Sequence, residues 1–200
     1  ECIRAFGGVD ILHNNVGIAT GDGTSTEVDW AQYLKIMEVN LHGSLLMCRA
    51  VLPSFREQQH GSIINVSSIG SVLTLPSGGG GGFGYKLSKA GINSMTQNLA
   101  IENAEHGIRV NAILPGLMDT PMSVERRAQA MAAEGVPLDE ARTRVREARN
   151  KQVPLHADGQ PKMGSAWDTA NAAVFLASDE AAFVTGVLLP VDGGHCVSTG

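Results

Sequence analysis

The sequence predicts an α/β fold built on a doubly wound parallel sheet. Short runs of apolar and β-branched residues alternate with segments of ten or more residues at helical spacing, and strands so separated pair in parallel through right-handed crossovers. The 200 residues are 43% hydrophobic and 18% charged, which is enough for one core and too ordinary for a disordered chain. No apolar stretch approaches the length of a membrane span.

The elements follow in order. Val9 to Asn15 is a short apolar run closed by Asn-Asn and then Gly17, a buried strand entering a turn. From Thr26 to about Gln58 the period is helical: Thr26 and Asp29 resemble a capping box, and Tyr33, Ile36, Met37, Leu41, Leu45 and Val51 recur on one face. Ser62 to Ser68 is a second strand, rich in β-branched residues. A glycine run, Gly78 to Gly82, then leads to a helix from about Tyr85 to Glu105, with Ala90, Met95, Leu99 and Ala100 as core positions. His106-Gly107 stops that helix, and Ile108 to Leu114 is a third strand ending at Pro115-Gly116. Residues 123 to 151 read as polar helices broken near Gly135-Val136-Pro137. Ser165 with Asp168 caps a helix from Ala166 to Ser178, and Val187 to Val191 is the last strand, ending at Asp192-Gly193-Gly194.

Fifteen basic against twenty acidic residues give a net charge of −5, which argues against non-specific nucleic-acid binding. Cys2, Cys48 and Cys196 are odd in number and scattered, so reduced thiols in a cytoplasmic setting are expected, with no disulfide framework. No histidine pair has metal-ligand spacing, and no metal is assigned. The arginines between 126 and 149 alternate with acidic residues, a pattern of a solvated face.

In a parallel sheet of this kind ligands bind beyond the carboxyl ends of the strands. Asn15, Ser68, Pro115-Gly116 and Asp192-Gly193 all fall there. Tyr85 and Lys89 are four apart at a helix start, so both side chains share a face. An ammonium held there favours the phenolate and lowers the tyrosine pKa, making the phenol usable as a general acid or base. Ser68 offers a hydroxyl at a strand end, and Asn40 sits as an amide inside an otherwise apolar helix.

These segments, taken together, resemble a classical short-chain dehydrogenase/reductase. The matching motifs are Asn14-Asn15-Val16-Gly17, Val39-Asn40, Ile64-Asn65-Val66-Ser67-Ser68, Tyr85-x-x-x-Lys89, Arg109 through Gly116, and Thr185-Gly186 through Gly194, all in the family's order. The resemblance implies a Rossmann-like domain and a catalytic tetrad of Asn40, Ser68, Tyr85 and Lys89. Tyr85 would exchange a proton with the substrate oxygen, Ser68 would hydrogen-bond that oxygen, and Lys89 would also hold the nicotinamide ribose. Asn40 would hold a water of the proton relay. By the same resemblance Asn15, Gly17, Pro115, Gly116, Met118 and Thr120 border NAD or NADP. Residues 117–164 would form a substrate lid inserted in the single domain 1–200, and the protein would be a homodimer or homotetramer packed through the Thr26 and Tyr85 helices. Asp192-Gly193-Gly194 is read as a structural turn.

Two departures from the family pattern stand out. The glycine-rich fingerprint and the strands that should precede Val9 are absent, so the expectation is the C-terminal part of a larger fold, lacking roughly one-third of an ordinary member. Its sheet would begin at an unpaired edge. Residues 69 to 84 separate Ser68 from Tyr85, about four more than usual, a surplus that costs little in loop-closure entropy and leaves Tyr85 facing Ser68. The expected activity is hydride transfer between a nicotinamide cofactor and a secondary alcohol or ketone, with no nucleic acid or membrane as partner. Two other readings are a non-catalytic, oligomer-forming module and an epimerase or dehydratase that keeps the Tyr/Lys pair. Leu73, Leu75, Phe83 and Met122 are candidates for an apolar substrate lining.

Overall fold

The computed structural model describes residues 2–19, 21–24, 26–73 and 82–198. The readings of Leu75 and of the glycine run before Gly82 fall outside the described residues. Four parallel strands form the sheet in the order β1-β2-β3-β6: β1 Ile11–Asn14, β2 Gly61–Val66, β3 Ile108–Pro115 and β6 Leu188–Val191. The register runs Asn14 against Asn65, Asn65 against Ala112, and Ala112 against Leu188. β2 and β3 are buried nearly throughout, as strands covered on both faces must be. β1 is the edge, with Leu12 and Asn14 buried and Ile11 and His13 exposed.

On one face lie α3 (Gly43–Gln58) and α4 (Phe83–Asn103). They enclose a core of Leu12, Cys48, Phe55, Ile63, Leu99, Ile108 and Val110. The opposite face carries α7 (Ala166–Ala177), packed through Leu176 on Ile64 and Ile113. Arg109 fastens that helix by donating to the carbonyls of Leu176 at 2.7 Å and Ser178 at 3.2 Å, where the helix dipole is negative. The expected capping box is present, with Ser165 N–H and Oγ both donating to Asp168. A short helix α1 (Cys2–Phe6) precedes the sheet, and no helix among the described residues is long and apolar enough to cross a membrane.

The long helix starts later than the sequence suggests. Its N-cap is Asp29, which accepts from Gln32 N–H at 3.1 Å, whereas Thr26 pairs with Thr24 outside the helix. Three elements follow without a break: α2 (Trp30–Met37), a π turn (Glu38–His42) and α3. The extra residue in the π turn rotates the helix face, so the buried positions are Ile36, Asn40, Ser44, Cys48, Val51 and Phe55, and Leu45 turns outward.

After β3, α5 (Pro121–Ala133) and α6 (Leu138–Asn150) form an antiparallel hairpin, followed by a ribbon of β4 (His156–Ala157) and β5 (Gln160–Pro161). The break between the helices is at Gly135, φ +97°, with Pro137 at the cap of α6. Val124, Val145, Val153 and Met163 give the hairpin its own small core. Arg142 grips Glu125 with two bonds, 2.9 and 3.0 Å, and Arg146 holds Asp119. The hairpin thus stands as a packed unit over the carboxyl ends of the strands.

Candidate active site

The carboxyl ends of β1, β2 and β3, the start of α4 and the first turns of α5 enclose a cavity of about 380 Å³, within the size range of small-molecule sites. Of the sequence-predicted residues, Asn15, Gly17, Ser68, Tyr85, Lys89, Pro115, Gly116, Met118 and Thr120 line it. Leu73 and Met122 line it too; Phe83 is directed elsewhere and is 42% exposed.

Ser68 follows β2 in an extended conformation and begins a short turn, its Oγ accepting from Gly70 N–H at 3.1 Å. The same hydroxyl is near enough to the Tyr85 phenol to favour its phenolate, and both side chains line the cavity. Lys89 is nearly buried; its Nζ donates to the Val66 carbonyl at 2.7 Å and lies 5.7 Å from the centre of the Tyr85 ring. Gly17 keeps this corner open, because a Cβ there would lie 3.3 Å from Lys89 Nζ and 3.6 Å from Asn40 Oδ1.

The electrostatics differ from the expectation that Lys89 makes the phenol unusually acidic. Burial raises the Tyr85 pKa above its ordinary value, and the nearby Ser68 hydroxyl opposes this only in part. The ammonium points at the Val66 carbonyl instead of the phenol oxygen, and burial lowers its own pKa to about 8. The resting pair at neutral pH is therefore a neutral phenol beside a charged ammonium.

Asn40 lies in the π turn, fully buried. Its Oδ1 accepts from Ile18 N–H at 2.8 Å, and its Nδ2 donates to the Ile18 carbonyl and to Ser88 Oγ, both at 3.0 Å. The side chain thereby ties the loop after β1 to the helix that carries Tyr85 and Lys89. Both amide hydrogens are used, while the oxygen keeps a second lone pair.

Sequence reasoning missed several residues that fix this geometry. Asn14 Nδ2 donates to Asn65 Oδ1 at 2.9 Å, and Asn65 Nδ2 donates to Thr96 Oγ1 at 2.9 Å, a buried chain linking β1, β2 and α4. Asp22 reaches the start of α4, where its carboxylate accepts from Gly84 N–H and closely approaches Gly82. Asn40 was visible as an amide among apolar residues; Asn14 and Asn65 stand within quoted motifs, but nothing in the sequence shows that they pair, and Asp22 carries no signal at its position.

At the third strand end, Gly116 N–H donates to the Val191 carbonyl at 2.9 Å. A Cβ on Gly116 would fall 2.5 Å from Asp192 Cβ. Asp192 is itself locked in its turn, accepting from Gly194 N–H at 2.9 Å and Cys196 N–H at 2.7 Å, which makes the turn a structural one. Gly116→Ala is expected to cost about 1–3 kcal/mol through forced separation of β3 and β6, read as a lower urea midpoint. An unchanged midpoint would show that the two backbones have room. Thr120 is the N-cap residue of α5 but its side chain makes no capping bond, and Met118 pairs with Gly164 in an isolated bridge that ties this wall to the stretch before α7.

The arginines do not all lie on a solvated face. Arg142, Arg144 and Arg146 pair with carboxylates on the surface, whereas Arg126, Arg127 and Arg149 line the cavity.

Known proteins resemble the chain over most or all of its length. Residues 1–196 match the family profile described as "Enoyl-(Acyl carrier protein) reductase". The 3beta-hydroxysteroid dehydrogenase 1 of Eggerthella lenta is 37% identical, over all of this chain and 71% of its own length. A crystal structure of a short-chain dehydrogenase/reductase from Burkholderia xenovorans superposes with a TM-score of 0.84 at 37% identity, over the whole of this chain and 69% of the other. ElxO, solved with NADP bound, gives a TM-score of 0.80 at 26% identity over 98% of this chain and 71% of its own.

Proposed function

Because the chain belongs to the classical short-chain dehydrogenase/reductase family, we propose that it is a nicotinamide-dependent oxidoreductase interconverting a ketone and a secondary alcohol. The observation that carries this reading is the convergence of the Ser68 hydroxyl, the Tyr85 phenol and the Lys89 ammonium in one cavity beyond the strand ends. The non-catalytic module reading has no counterpart to that arrangement.

NAD or NADP, when bound, supplies or accepts the hydride. The residues here fit its nicotinamide end. Lys89 spends one of its three hydrogens on Val66 and keeps two for ribose hydroxyls at the corner that Gly17 leaves open. Asn15, Pro115 and Gly116 line the same cavity, and the Thr120 hydroxyl, which makes no capping bond, would with the Met118 backbone hold the carboxamide. In reduction, Ser68 holds the carbonyl oxygen of the substrate and Tyr85 gives its proton to that oxygen, so the developing negative charge is quenched as it forms. Lys89 stabilises the phenolate left behind. The spare lone pair of Asn40 Oδ1 orients a water that returns the proton. The hairpin of α5 and α6, within residues 117–164, acts as the lid that positions the substrate and excludes bulk water. Leu34, Leu46 and Ile101 remain exposed on the helices through which the chain is proposed to form homodimers or homotetramers.

The test is oxidation of NADH or NADPH with a panel of ketones, followed across pH. Burial lowers the folded-state pKa of Lys89 to about 8, so the ammonium is present below that value and lost above it. The Tyr85 phenol, shifted upward, keeps its proton over the same range. Reduction is therefore expected to hold level through neutral pH and to decline above about pH 8. A profile level to pH 10 would remove Lys89 from the mechanism.

A further inference from the structure

We propose that the cavity contains an anion-binding subsite, built by Arg127 and Arg149, that selects ketones or alcohols carrying a carboxylate or similar anionic group. The inference rests on the oxidoreductase reading of the cavity and adds to it a class of substrate.

Three observations converge. First, the described cavity wall has five basic side chains, Lys86, Lys89, Arg126, Arg127 and Arg149, and no aspartate or glutamate, in a protein whose net charge is −5. Second, the pairing of arginines on α5 and α6 divides sharply. Those facing solvent have carboxylate partners: Arg142 has Glu125 and Asp139, Arg144 has Glu140, Arg146 has Asp119. Among the described residues Arg127 and Arg149 have none, and Arg127 donates only to the Ser123 carbonyl one turn back, at 3.1 Å. Third, four buried polar atoms without a hydrogen-bond partner, Ser123 Oγ, Arg149 Nε, Thr169 Oγ1 and His195 Nδ1, belong to residues of this same wall. Such atoms are costly when left unmet.

The physical consequence is a mutual strain that an anion relieves. Burial, and then the neighbouring Arg127 charge, lower the pKa of Arg149 to about 10. Two guanidinium groups held together without a counter-ion form a fork-shaped set of donors matched to a carboxylate or phosphate. Ser123 and Thr169 add hydroxyls that can turn toward the same group. The four residues come from α5, α6 and α7, so the subsite exists only when the lid hairpin is packed as observed.

A matched-pair experiment decides this in the full-length enzyme. Acetoacetate, 4-oxopentanoate and 5-oxohexanoate are each compared with their methyl esters as substrates. The acid is expected to exceed its ester at least tenfold in kcat/KM at one chain length. That ratio, which does not depend on how much of the protein is folded, falls toward one in Arg149→Met and in Arg127→Met, and recovers in part in Arg149→Lys. Glutarate, which has no reducible carbonyl, supplies a readout without turnover: calorimetry should show binding at least tenfold weaker in Arg149→Met. Equal use of acids and esters by the unaltered enzyme would overturn the proposal. So would an unchanged ratio in both methionine variants alongside a raised KM for the cofactor, which would assign the guanidinium groups to a cofactor phosphate. If neither acids nor esters are reduced, the oxidoreductase reading fails, and the glutarate measurement still decides the subsite.

Discussion

Tyr85→Phe is expected to lower kcat for ketone reduction by ~10²–10⁴-fold while leaving KM within a few-fold. The phenol shares the cavity with Ser68 and is the group proposed to hand a proton to a carbonyl oxygen held there. Its burial raises the pKa, so at neutral pH the proton is in place before the ketone arrives. The substitution keeps the ring, and with it the packing 5.7 Å from Lys89 Nζ, so the fold should survive and the loss should appear in turnover. The sign of the shift also separates the two directions of the reaction. Reduction begins with the protonated phenol, whereas alcohol oxidation begins with the phenolate and should climb as pH rises. Measuring kcat in both directions on the variant, with the thermal midpoint as the folding control, settles the point. Undiminished turnover would transfer the proton to another group and remove the mechanism.

Much of this site was legible in the sequence because its parts are local. A Tyr and a Lys four apart on a helix share a face whatever surrounds them, and a Ser or Gly just after a buried strand lies at the sheet end by topology alone. The cap of α7 at Ser165 was legible for the same reason. What failed was non-local. The helix face was misjudged at Leu45 because the π turn adds a residue to the period, and pattern reading assumes that the period is constant. The Thr26 cap was misplaced because Thr26 and Asp29 are both good caps and only the fold chooses between them. The effect of Lys89 on Tyr85 was misjudged because spacing reveals proximity, not direction: the Val66 carbonyl takes the ammonium and burial decides the phenol. The cavity arginines were hidden because mixed-sign helices look alike until one face meets a wall.

Asn65→Leu is expected to cost about 2–5 kcal/mol, a large share of the ~5–15 kcal/mol that holds such a domain together. Asn65 is fully buried in the central strand β2, and its register partner on β1 is Asn14. The bonds from Asn14 to Asn65 and from Asn65 to Thr96 are both lost, and leucine, branched like asparagine but larger, meets neither polar partner. Asn14 retains only longer contacts, 3.3 Å to the Ser44 carbonyl and 3.4 Å to Cys48 Sγ. A triple replacement, Asn14→Leu with Asn65→Leu and Thr96→Val, removes the unmet groups and is expected to recover much of the lost stability. Activity should not return with it. Ile11 and His13 face outward on β1, so apolar packing alone holds that strand's register weakly, and the amide pair is what specifies it. Asn15, directly after β1, and Ser68, two residues beyond β2, depend on that register for their place at the cavity. A urea midpoint restored together with full kcat would show that the amides serve stability alone, whereas a restored midpoint with depressed kcat would show that they set the spacing of the site.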